Sequence, residues 1–217
     1  MKIYLATGNL HKKQEMQQIF NEHQIIIPKD EGIFFDPIED GSTFMANSLI
    51  KAEELFKIVH CPVIADDSGI CVDIIDKRPG IYSARYAGKN FITGNDSKLS
   101  SLERNKLLIE EVNEKIINLG KDINDISLRT CRFVCALTFY YKQDRFISIQ
   151  DTIEGILVSS IDEALGTGGF GYDPVVFLPE YNKTVSQLTE EQKNKISHRG
   201  RACKKLLDFL KQNTTII

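Results

Sequence analysis

The choice of fold depends on residues 166–178, which carry the sequence GTGGFGYDPVVFL. Four glycines in the first six positions allow a sharp turn and a close approach of the backbone to a ligand. Their spacing also matches the G-x-G-x-x-G pattern of dinucleotide-binding folds, which requires a helix directly after the glycines. Here Pro174 and the apolar run Val175–Leu178 follow instead, and such a run is typical of a short strand. The stretch therefore excludes a Rossmann fold and predicts a ligand-binding loop that leads into a sheet.

The segments on either side of this loop predict strands and helices in mixed order, followed by an antiparallel pair of strands. The expected strands are Lys2–Ala6, Ile25–Ile27, Pro62–Ala65, Ile70–Ile75, Arg129–Tyr141 and Arg145–Val158. The expected helices are Leu10–His23, a helix capped by Ser42 or Thr43 that ends near His60, Ser97–Leu119 and Arg199–Lys211. This order predicts an α/β (mixed α+β) fold with a central mixed sheet flanked by helices, and one domain over residues 1–217.

The composition is ordinary for a globular protein, with 42% hydrophobic and 26% charged residues. A net charge of -3 argues against a general nucleic-acid or membrane-binding surface. No run has transmembrane length, and the N-terminus lacks the apolar region of a secretory signal. The five cysteines show neither a disulfide framework nor zinc-ligand spacing, and Cys131 and Cys135 are expected in the core. The expected location is a reducing cytoplasm.

The segment Ala6–Lys12, ATGNLHK, is a candidate phosphate site. A strand ends here, a glycine follows, and a helix begins with Lys12 in its first turn. The free N–H groups of a helix start attract anions, and Lys12 adds a full positive charge. Thr7 and Asn9 supply further polar contacts. The alternative is an ordinary helix start with a solvated lysine, since the Walker pattern is absent.

Asp66 and Asp67 directly follow the apolar strand Pro62–Ala65. Two carboxylates at the end of a buried strand are costly unless a cation compensates them, and Mg²⁺ typically takes one or two carboxylates together with phosphate oxygens. A carboxylate in this position is also suited to accept a proton from an attacking water. The alternative is an Asp-rich turn in which Ser68 and Gly69 reverse the chain.

Two further polar stretches are candidates for the same chemistry. Glu39 and Asp40 lie just before a helix, where they either complete a metal site or cap the helix. Near the C-terminus, Ser197 is a candidate N-cap for the last helix, with His198 and Arg199 in its first turn. Because the helix dipole disfavours cations there, this placement indicates that something anionic or oxygen-rich docks nearby, the alternative being a basic solvated face.

Taken together, these stretches resemble the inosine triphosphate pyrophosphatase family, the Ham1-like pyrophosphatases of non-canonical purine NTPs. The matching pieces follow the family's order over nearly the whole chain: Thr7–Lys12, Glu39–Phe44, Asn47–Ala52, Ala65–Gly69, Pro79–Arg85, Gly166–Pro174 and Ser197–Gly200. The resemblance implies hydrolysis of ITP, dITP and XTP to the monophosphate and pyrophosphate. It also implies an elongated fold with the active-site cleft between two lobes, and a homodimer.

The same resemblance implies a role for each matching residue. Asp67 would be the proton acceptor and, with Glu39, a ligand of Mg²⁺, while Lys12 would be the second catalytic residue. The substrate-binding residues would be Thr7, Gly8, Asn9, Leu10, His11, Lys12, Ser68, Phe170, Gly171, Tyr172, Asp173, Lys193, His198 and Arg199. Where the family has Glu-Asn-Ala, this chain has Ala46-Asn47-Ser48, so the helix lacks a second metal carboxylate.

Base selection has a physical explanation that follows from these residues. Hypoxanthine and xanthine carry a 6-oxo acceptor where adenine carries an amino donor, so donors on Arg199 and His198 would pair only with the former. Buried donors left unpaired give large discrimination. Two alternatives remain open at this point: a nucleotide-binding module that does not hydrolyse its ligand, and a related pyrimidine or modified-base NTP pyrophosphatase.

Overall fold

The computed structural model describes residues 1–89 and 99–213. Its strands are β1 (Lys2–Leu5), β2 (Gln24–Ile26), β3 (Val63–Val72), β4 (Arg78–Pro79), β5 (Thr130–Lys142), β6 (Arg145–Leu157), β7 (Val176–Leu178) and β8 (Lys183–Thr184). Its α-helices are α1 (Leu10–Ile19), α2 (Phe44–Val59), α3 (Ser101–Asn118), α4 (Glu190–Ile196) and α5 (His198–Gln212). Short 3-10 helices occupy many of the connections.

The strands form a mixed sheet, as the sequence predicts. They are hydrogen-bonded in the order β2-β1-β3-β5-β6-β7-β8, and β4 pairs with β3. Strand β1 is parallel to both neighbours, with Ile3 opposite Ile25 and Leu5 opposite Ile64. The pairs β3·β4, β6·β7 and β7·β8 are antiparallel. Because β1 and β3 are parallel, both run toward the same end of the sheet. The residues that follow β1 therefore lie next to the part of β3 that extends beyond Ile64.

The chain divides into two compact units. The first contains Met1–Ser68, Val134–Thr152 and Asn194–Ile217, and the second contains Gly69–Phe133 and Ile153–Lys193. Strands β3, β5 and β6 contribute residues to both units.

In the first unit, alternation along β1 assigns the helices to the two faces of the sheet. Ile3 and Leu5 belong to one apolar cluster, which also contains residues of α1 and α5. Tyr4 and Ala6 belong to another, which contains residues of α2. Since successive side chains of a strand point to opposite faces, α1 and α5 cover one face and α2 covers the other.

In the second unit, α3 supplies a buried apolar stripe. Leu108, Ile109, Val112 and Ile116 recur at helical spacing and are all buried. The helix starts with a capping box, in which the Ser100 side chain accepts from the Glu103 backbone N–H and the Glu103 side chain accepts from the Ser100 backbone N–H. The predicted helix start at Ser97 lies outside the described residues.

Two expected boundaries are wrong, and one helix was not predicted. The two strands expected at Pro62–Ala65 and Ile70–Ile75 are one continuous strand, β3, so the Asp-rich stretch is not a turn. Helix α1 ends at Ile19 instead of His23, because the Gln17 amide donates to the His23 carbonyl and accepts from the Ile25 N–H, which leads the chain into β2. Helix α4 is absent from the sequence-based expectation.

Other expectations are confirmed. Thr43 caps α2 by accepting from the Ala46 N–H, and Ser197 caps α5 by accepting from the Gly200 N–H. Cys131 and Cys135 are buried and free of disulfides. In the described part of the chain, every helix is too short or too polar to traverse a bilayer.

Candidate active site

Strand β3 sends Asp66 and Asp67 to opposite faces of the sheet. The apolar residues before them already alternate, with Ile64 in the cluster shared with α1 and α5, and Val63 and Ala65 in the cluster shared with α2. The period of two continues through the carboxylates, so Asp66 meets α1 and α5 while Asp67 meets α2. Both carboxylates are buried. The side chains of these two adjacent acids therefore lie on opposite faces of the sheet, because the strand continues through them.

Asp66 is enclosed by cations and donors of the first unit. Its Oδ2 accepts from Arg199 Nε at 3.0 Å and from Cys135 Sγ at 3.0 Å, and its Oδ1 forms an ion pair with Lys12 Nζ. Arg199 is itself fixed by Glu15, with 2.6 Å between Nη1 and Oε2, and by the Ser68 hydroxyl, 2.9 Å from Nη2. Within the protein, the cationic start of α5 is met by the carboxylates of Asp66 and Glu15, and the docking of an anionic partner there stays a prediction.

Asp67 has different partners on the α2 side. Its Oδ1 lies 2.9 Å from Lys51 Nζ, and its Oδ2 accepts from the Asn47 amide at 3.3 Å. The same Lys51 ammonium lies 3.0 Å from Glu39 Oε2, so two carboxylates share one cation. Glu39 does not cap α2, since Thr43 does.

These surroundings shift the two aspartate pKa values in opposite directions. Burial alone would raise the pKa of Asp66, but the charges of Arg199 and Lys12 outweigh it and hold that pKa well below its usual value. Burial raises the pKa of Asp67, because the neighbouring Lys51 and Lys12 charges do not fully compensate for desolvation and for the Glu39 carboxylate. Asp66 is therefore the more readily ionised of the two carboxyl groups, and Asp67 is the stronger base.

The predicted phosphate segment lies at the edge of the sheet where β1 ends. The Asn9 side chain caps α1 by accepting from the His11 and Lys12 N–H groups, so these two amides are engaged by the protein itself. Thr7 accepts from the Asn9 N–H through its hydroxyl. Lys12 Nζ reaches β3, where it also lies 3.4 Å from the Asp66 carbonyl oxygen. Gly8, Leu10 and His11 are exposed.

The oxygen donors near Asp67 suit a hard cation. Glu39 and Asp67 both approach the Lys51 ammonium, which shows that the space between them accommodates a positive charge. Asn47 Oδ1 is buried and has no hydrogen-bond partner among residues 1–89 and 99–213. The described residues contain no cluster of three or more His, Cys, Asp or Glu side chains suited to a metal. Two carboxylates are the usual protein contribution to Mg²⁺ when phosphate and water complete the coordination, so these residues fit that ion.

In the second unit, three predicted residues form a closed group around the glycine-rich loop. Asp173 Oδ2 accepts from the Phe170 N–H at 2.8 Å and lies 2.9 Å from Lys193 Nζ. The Lys193 ammonium also lies 5.0 Å from the centroid of the Phe170 ring, a cation–π contact. Asp173 and Lys193 are buried, and Phe170 is half-buried. Phe170 is therefore held from both its backbone and its ring.

The rest of this loop is held by neighbouring segments. Gly168 exchanges hydrogen bonds with Ser186, whose carbonyl accepts from the Gly168 N–H and whose hydroxyl donates to the Gly168 carbonyl. The Tyr172 hydroxyl donates to the Ser83 carbonyl at 2.9 Å. Gly171 has a φ of +63°, a conformation that favours glycine. The loop is thus restrained by hydrogen bonds to Ser186 and Ser83.

The structure brings the predicted residues together in three sets. In the first unit, Lys12, Ser68 and Arg199 lie around Asp66. On the α2 side of β3, Glu39 and Asp67 lie around Lys51. His198 is buried at the start of α5. In the second unit the structure assembles Phe170, Gly171, Tyr172, Asp173 and Lys193. The individual roles assigned to these residues stay predictions.

Three residues of the observed networks are absent from the site predicted from the sequence: Lys51, Glu15 and Asn105. Lys51 lies one helical turn after Asn47 and one before Leu55, on a stripe of α2 that is buried throughout. A lysine at a buried position of α2, one turn after an asparagine, indicates a buried anion, and that signal is present in the sequence. Glu15 follows Lys12 by three residues, on the same face of α1, which places its carboxylate near Arg199.

With this geometry established, comparison with known proteins gives the family. A model of the Ham1 family matches residues 3–209. A dITP/XTP pyrophosphatase of Treponema denticola is 45% identical over 211 residues, which are 97% of this chain and 99% of that protein. The dITP/XTP pyrophosphatase of Escherichia coli K12 is 36% identical and covers 97% and 98% of the two chains.

Solved structures agree with this assignment. A HAM1 protein from Coxiella burnetii superposes with a TM-score of 0.80 at 30% identity, covering 98% of this chain and 99% of that one. The fold is thus the mixed α/β fold of the pyrophosphatases that the sequence resembles. This chain belongs to the Ham1 family.

Proposed function

We propose that this chain hydrolyses the non-canonical purine nucleoside triphosphates ITP, dITP and XTP to the monophosphate and pyrophosphate, and so removes deaminated purines from the nucleotide pool. The names and near-complete alignment of the relatives from Treponema denticola and Escherichia coli support this reaction. We further propose that residues 1–217 act as one catalytic domain, since the family model extends over nearly all of them.

The observation that carries the proposal is the environment of Asp67. It is a buried carboxylate with a raised pKa, beside a lysine and a second carboxylate. Such a group is suited to accept a proton from a water molecule. In the proposed reaction the water oxygen forms a bond to the α-phosphorus, its proton passes to Asp67, and the bond between the α-phosphorus and the bridging oxygen of pyrophosphate breaks.

For the first unit we propose binding of the triphosphate by Thr7–Lys12 and Ser68. The Lys12 ammonium supplies positive charge at the start of α1, where the helix dipole also favours anions. Its ion pair with Asp66 fixes the direction of the side chain before substrate arrives. Fixed positive groups of this kind stabilise phosphoryl transfer mainly by position and charge.

We propose Glu39 and Asp67 as the residues that would hold Mg²⁺. When bound, the ion would neutralise negative charge on the phosphate oxygens. The Lys51 ammonium lies against both carboxylates and offsets part of their negative charge. Its pKa is raised, because the attraction of Asp67 and Glu39 outweighs burial, which alone would lower it.

For the second unit we propose that Phe170–Asp173 and Lys193 bind the base and sugar. An aromatic ring fixed by Asp173 and Lys193 offers a flat apolar surface to a purine. For the first unit, it stays a prediction from the family resemblance that His198 and Arg199 donate to the 6-oxo group. For Arg199 this role has to be compatible with its bonds to Asp66, Glu15 and Ser68. Assembly as a homodimer and a location in the cytoplasm stay predictions.

The test is a set of initial rates for ITP, XTP, GTP, ATP and dTTP, with and without Mg²⁺, measured as pyrophosphate release. The proposal expects turnover of ITP and XTP well above that of ATP, and dependence on Mg²⁺. Equal rates on ATP and ITP would contradict the account of base selection. Binding of ITP without release of pyrophosphate would favour a nucleotide-binding module, and a preference for dTTP would favour a pyrimidine or modified-base enzyme.

A further inference from the structure

Asn105 is a polar residue on the buried stripe of α3. It is 3% exposed and precedes Leu108, Ile109 and Val112 at helical spacing. Its Nδ2 donates to the Gly171 carbonyl at 3.1 Å, in the middle of the glycine-rich loop. Its Oδ1 is buried and lacks a hydrogen-bond partner within residues 1–89 and 99–213.

The energetic cost of burying the Asn105 amide indicates that this side chain has a specific role. A buried amide whose oxygen has no hydrogen-bond partner loses the solvation of that oxygen, which is a net cost to stability. A leucine at the same place would continue the apolar stripe without that cost. Core packing therefore does not favour an asparagine at this position. Within the described residues, its side chain makes one stabilising hydrogen bond, to the Gly171 carbonyl.

The bonded carbonyl has a particular place in the loop. Gly171 lies between Phe170 and Tyr172 and has a left-handed backbone conformation. On one side, the Phe170 N–H is bonded to Asp173, and on the other, the Tyr172 hydroxyl is bonded to Ser83. The Gly171 carbonyl lies in the planar peptide shared with Tyr172, so holding it restricts the ψ angle of Gly171, the glycine whose two backbone angles relate Phe170 to Tyr172.

We infer that Asn105 is a positioning residue for nucleoside binding: its amide fixes the Gly171 carbonyl and thereby the orientation of Phe170. The inference rests on the proposal that Phe170–Asp173 bind the base and sugar. Asn105 itself contacts the loop backbone, so its effect on substrate passes through Phe170. Its loss should weaken binding of substrate and leave the chemical step unchanged.

The chain offers a matched control on the same helix. Asn113 Nδ2 donates to the Ser159 carbonyl at 2.9 Å, the same kind of amide-to-carbonyl bond, but to a segment outside the loop. Asn113 Oδ1 also accepts from the buried Arg129 at 2.8 Å. Asn113→Leu is therefore expected to destabilise the protein more than Asn105→Leu, while leaving the loop in place.

The experiment compares wild type with Asn105→Leu, Asn105→Ala, Asn113→Leu and Phe170→Ala. Three quantities are measured: KM and kcat for ITP, deuterium uptake of the loop at residues 166–173, and the melting temperature. Losing one neutral hydrogen bond should raise KM for Asn105→Leu by about 2- to 10-fold. Its kcat should be unchanged, the pattern expected when binding that is equal in the ground and transition states is lost. Loop uptake should rise in both Asn105 variants and stay at the wild-type level in Asn113→Leu.

Each outcome decides between the inference and the proposed function. If Phe170→Ala raises KM while the Asn105 variants keep wild-type KM and loop uptake, the inference is overturned. If Asn113→Leu raises KM as much as Asn105→Leu, general destabilisation explains the effect and the positioning role fails. If Phe170→Ala leaves KM unchanged, the proposal that this loop binds the nucleoside is contradicted. In that case the deuterium uptake of residues 166–173 decides whether Asn105 holds Gly171. Asn105→Ala supplies the same comparison if the leucine variant does not fold.

Discussion

Asp66 and Asp67 are consecutive residues of β3, and their side chains enter opposite environments. On the α1 and α5 side, Asp66 meets two cations and a thiol, which keep it ionised. On the α2 side, Asp67 shares one lysine with a second carboxylate. The difference teaches that one pleated strand can hold two consecutive carboxylates on opposite faces, where different partners shift their pKa values in opposite directions. Each face is expected to respond differently when its carboxylate is neutralised.

The largest effect is expected from Asp67→Asn. If Asp67 accepts the proton of the attacking water, its amide loses general-base catalysis, and kcat should fall by about 10²- to 10⁴-fold. The melting temperature should change little, since the Lys51 ammonium keeps Glu39 as its partner. Rates of pyrophosphate release and thermal unfolding measure the two quantities.

The control for this variant is Asp40→Asn, a change at an exposed carboxylate next to Glu39. It should leave both rate and stability at wild-type values. Near-normal turnover by Asp67→Asn would remove Asp67 from the reaction and with it the contrast between the two faces.

On the opposite face, Asp66→Asn is expected to act first on stability. It leaves the buried Arg199 and Lys12 without their shared anion, and breaking a buried ion pair on one side costs about 3–5 kcal/mol. For a chain of this length, that corresponds to a fall in melting temperature of roughly 6–20 °C. Calorimetry of the two aspartate variants compares the faces directly. A melting temperature for Asp66→Asn equal to that of Asp67→Asn would show that the faces are energetically equivalent.

The contrast between the faces was only partly predictable from the sequence. The sheet, the helix caps at Thr43 and Ser197, and the chemistry of Lys12, Asp67 and the glycine-rich loop follow from local patterns, because strands, caps and turns have local signals. The continuity of β3 does not. Two adjacent aspartates and a glycine are typical of a turn, and only partners distant in sequence, Lys51 and Arg199, stabilise them within a strand.

The ion-pair partners of Asp67 and Arg199 were likewise only partly predictable from the sequence. Lys51 was recognisable as a polar residue on a buried stripe, but which acid it meets depends on how α2 lies on the sheet. The ion pair between Arg199 and Glu15 joins residues 184 positions apart in the sequence. A local pattern predicted that an anionic or oxygen-rich group docks near the start of α5, and tertiary structure places the carboxylates of Asp66 and Glu15 there.

A smaller effect is expected when the cation on the Asp67 face is removed. Lys51→Met leaves the carboxylates of Asp67 and Glu39 facing one another without compensation, so Mg²⁺ should stabilise this variant more than wild type. The measurement is the rise in melting temperature on adding saturating Mg²⁺. Lys57→Met, which removes an exposed lysine of the same helix, is the control and should respond like wild type. An equal Mg²⁺ response in Lys51→Met and wild type would argue that the two carboxylates do not hold the metal.

The smallest effect is expected from Glu15→Gln, at the outer end of the Asp66 network. The glutamine oxygen still accepts from Arg199, and Asp66 still supplies the buried counter-charge, so only part of one charge-assisted bond is lost. A loss of about 1 kcal/mol, or roughly 2–4 °C in melting temperature, is expected. Because Arg199 stays fixed by Asp66, kcat/KM for ITP should stay near the wild-type value. Glu22→Gln, at an exposed acid just beyond α1, is the matched control. If Glu15→Gln lowers the melting temperature as much as Asp66→Asn, then both carboxylates stabilise the Arg199 guanidinium equally. The prediction that Asp66 is its main counter-charge would then be wrong.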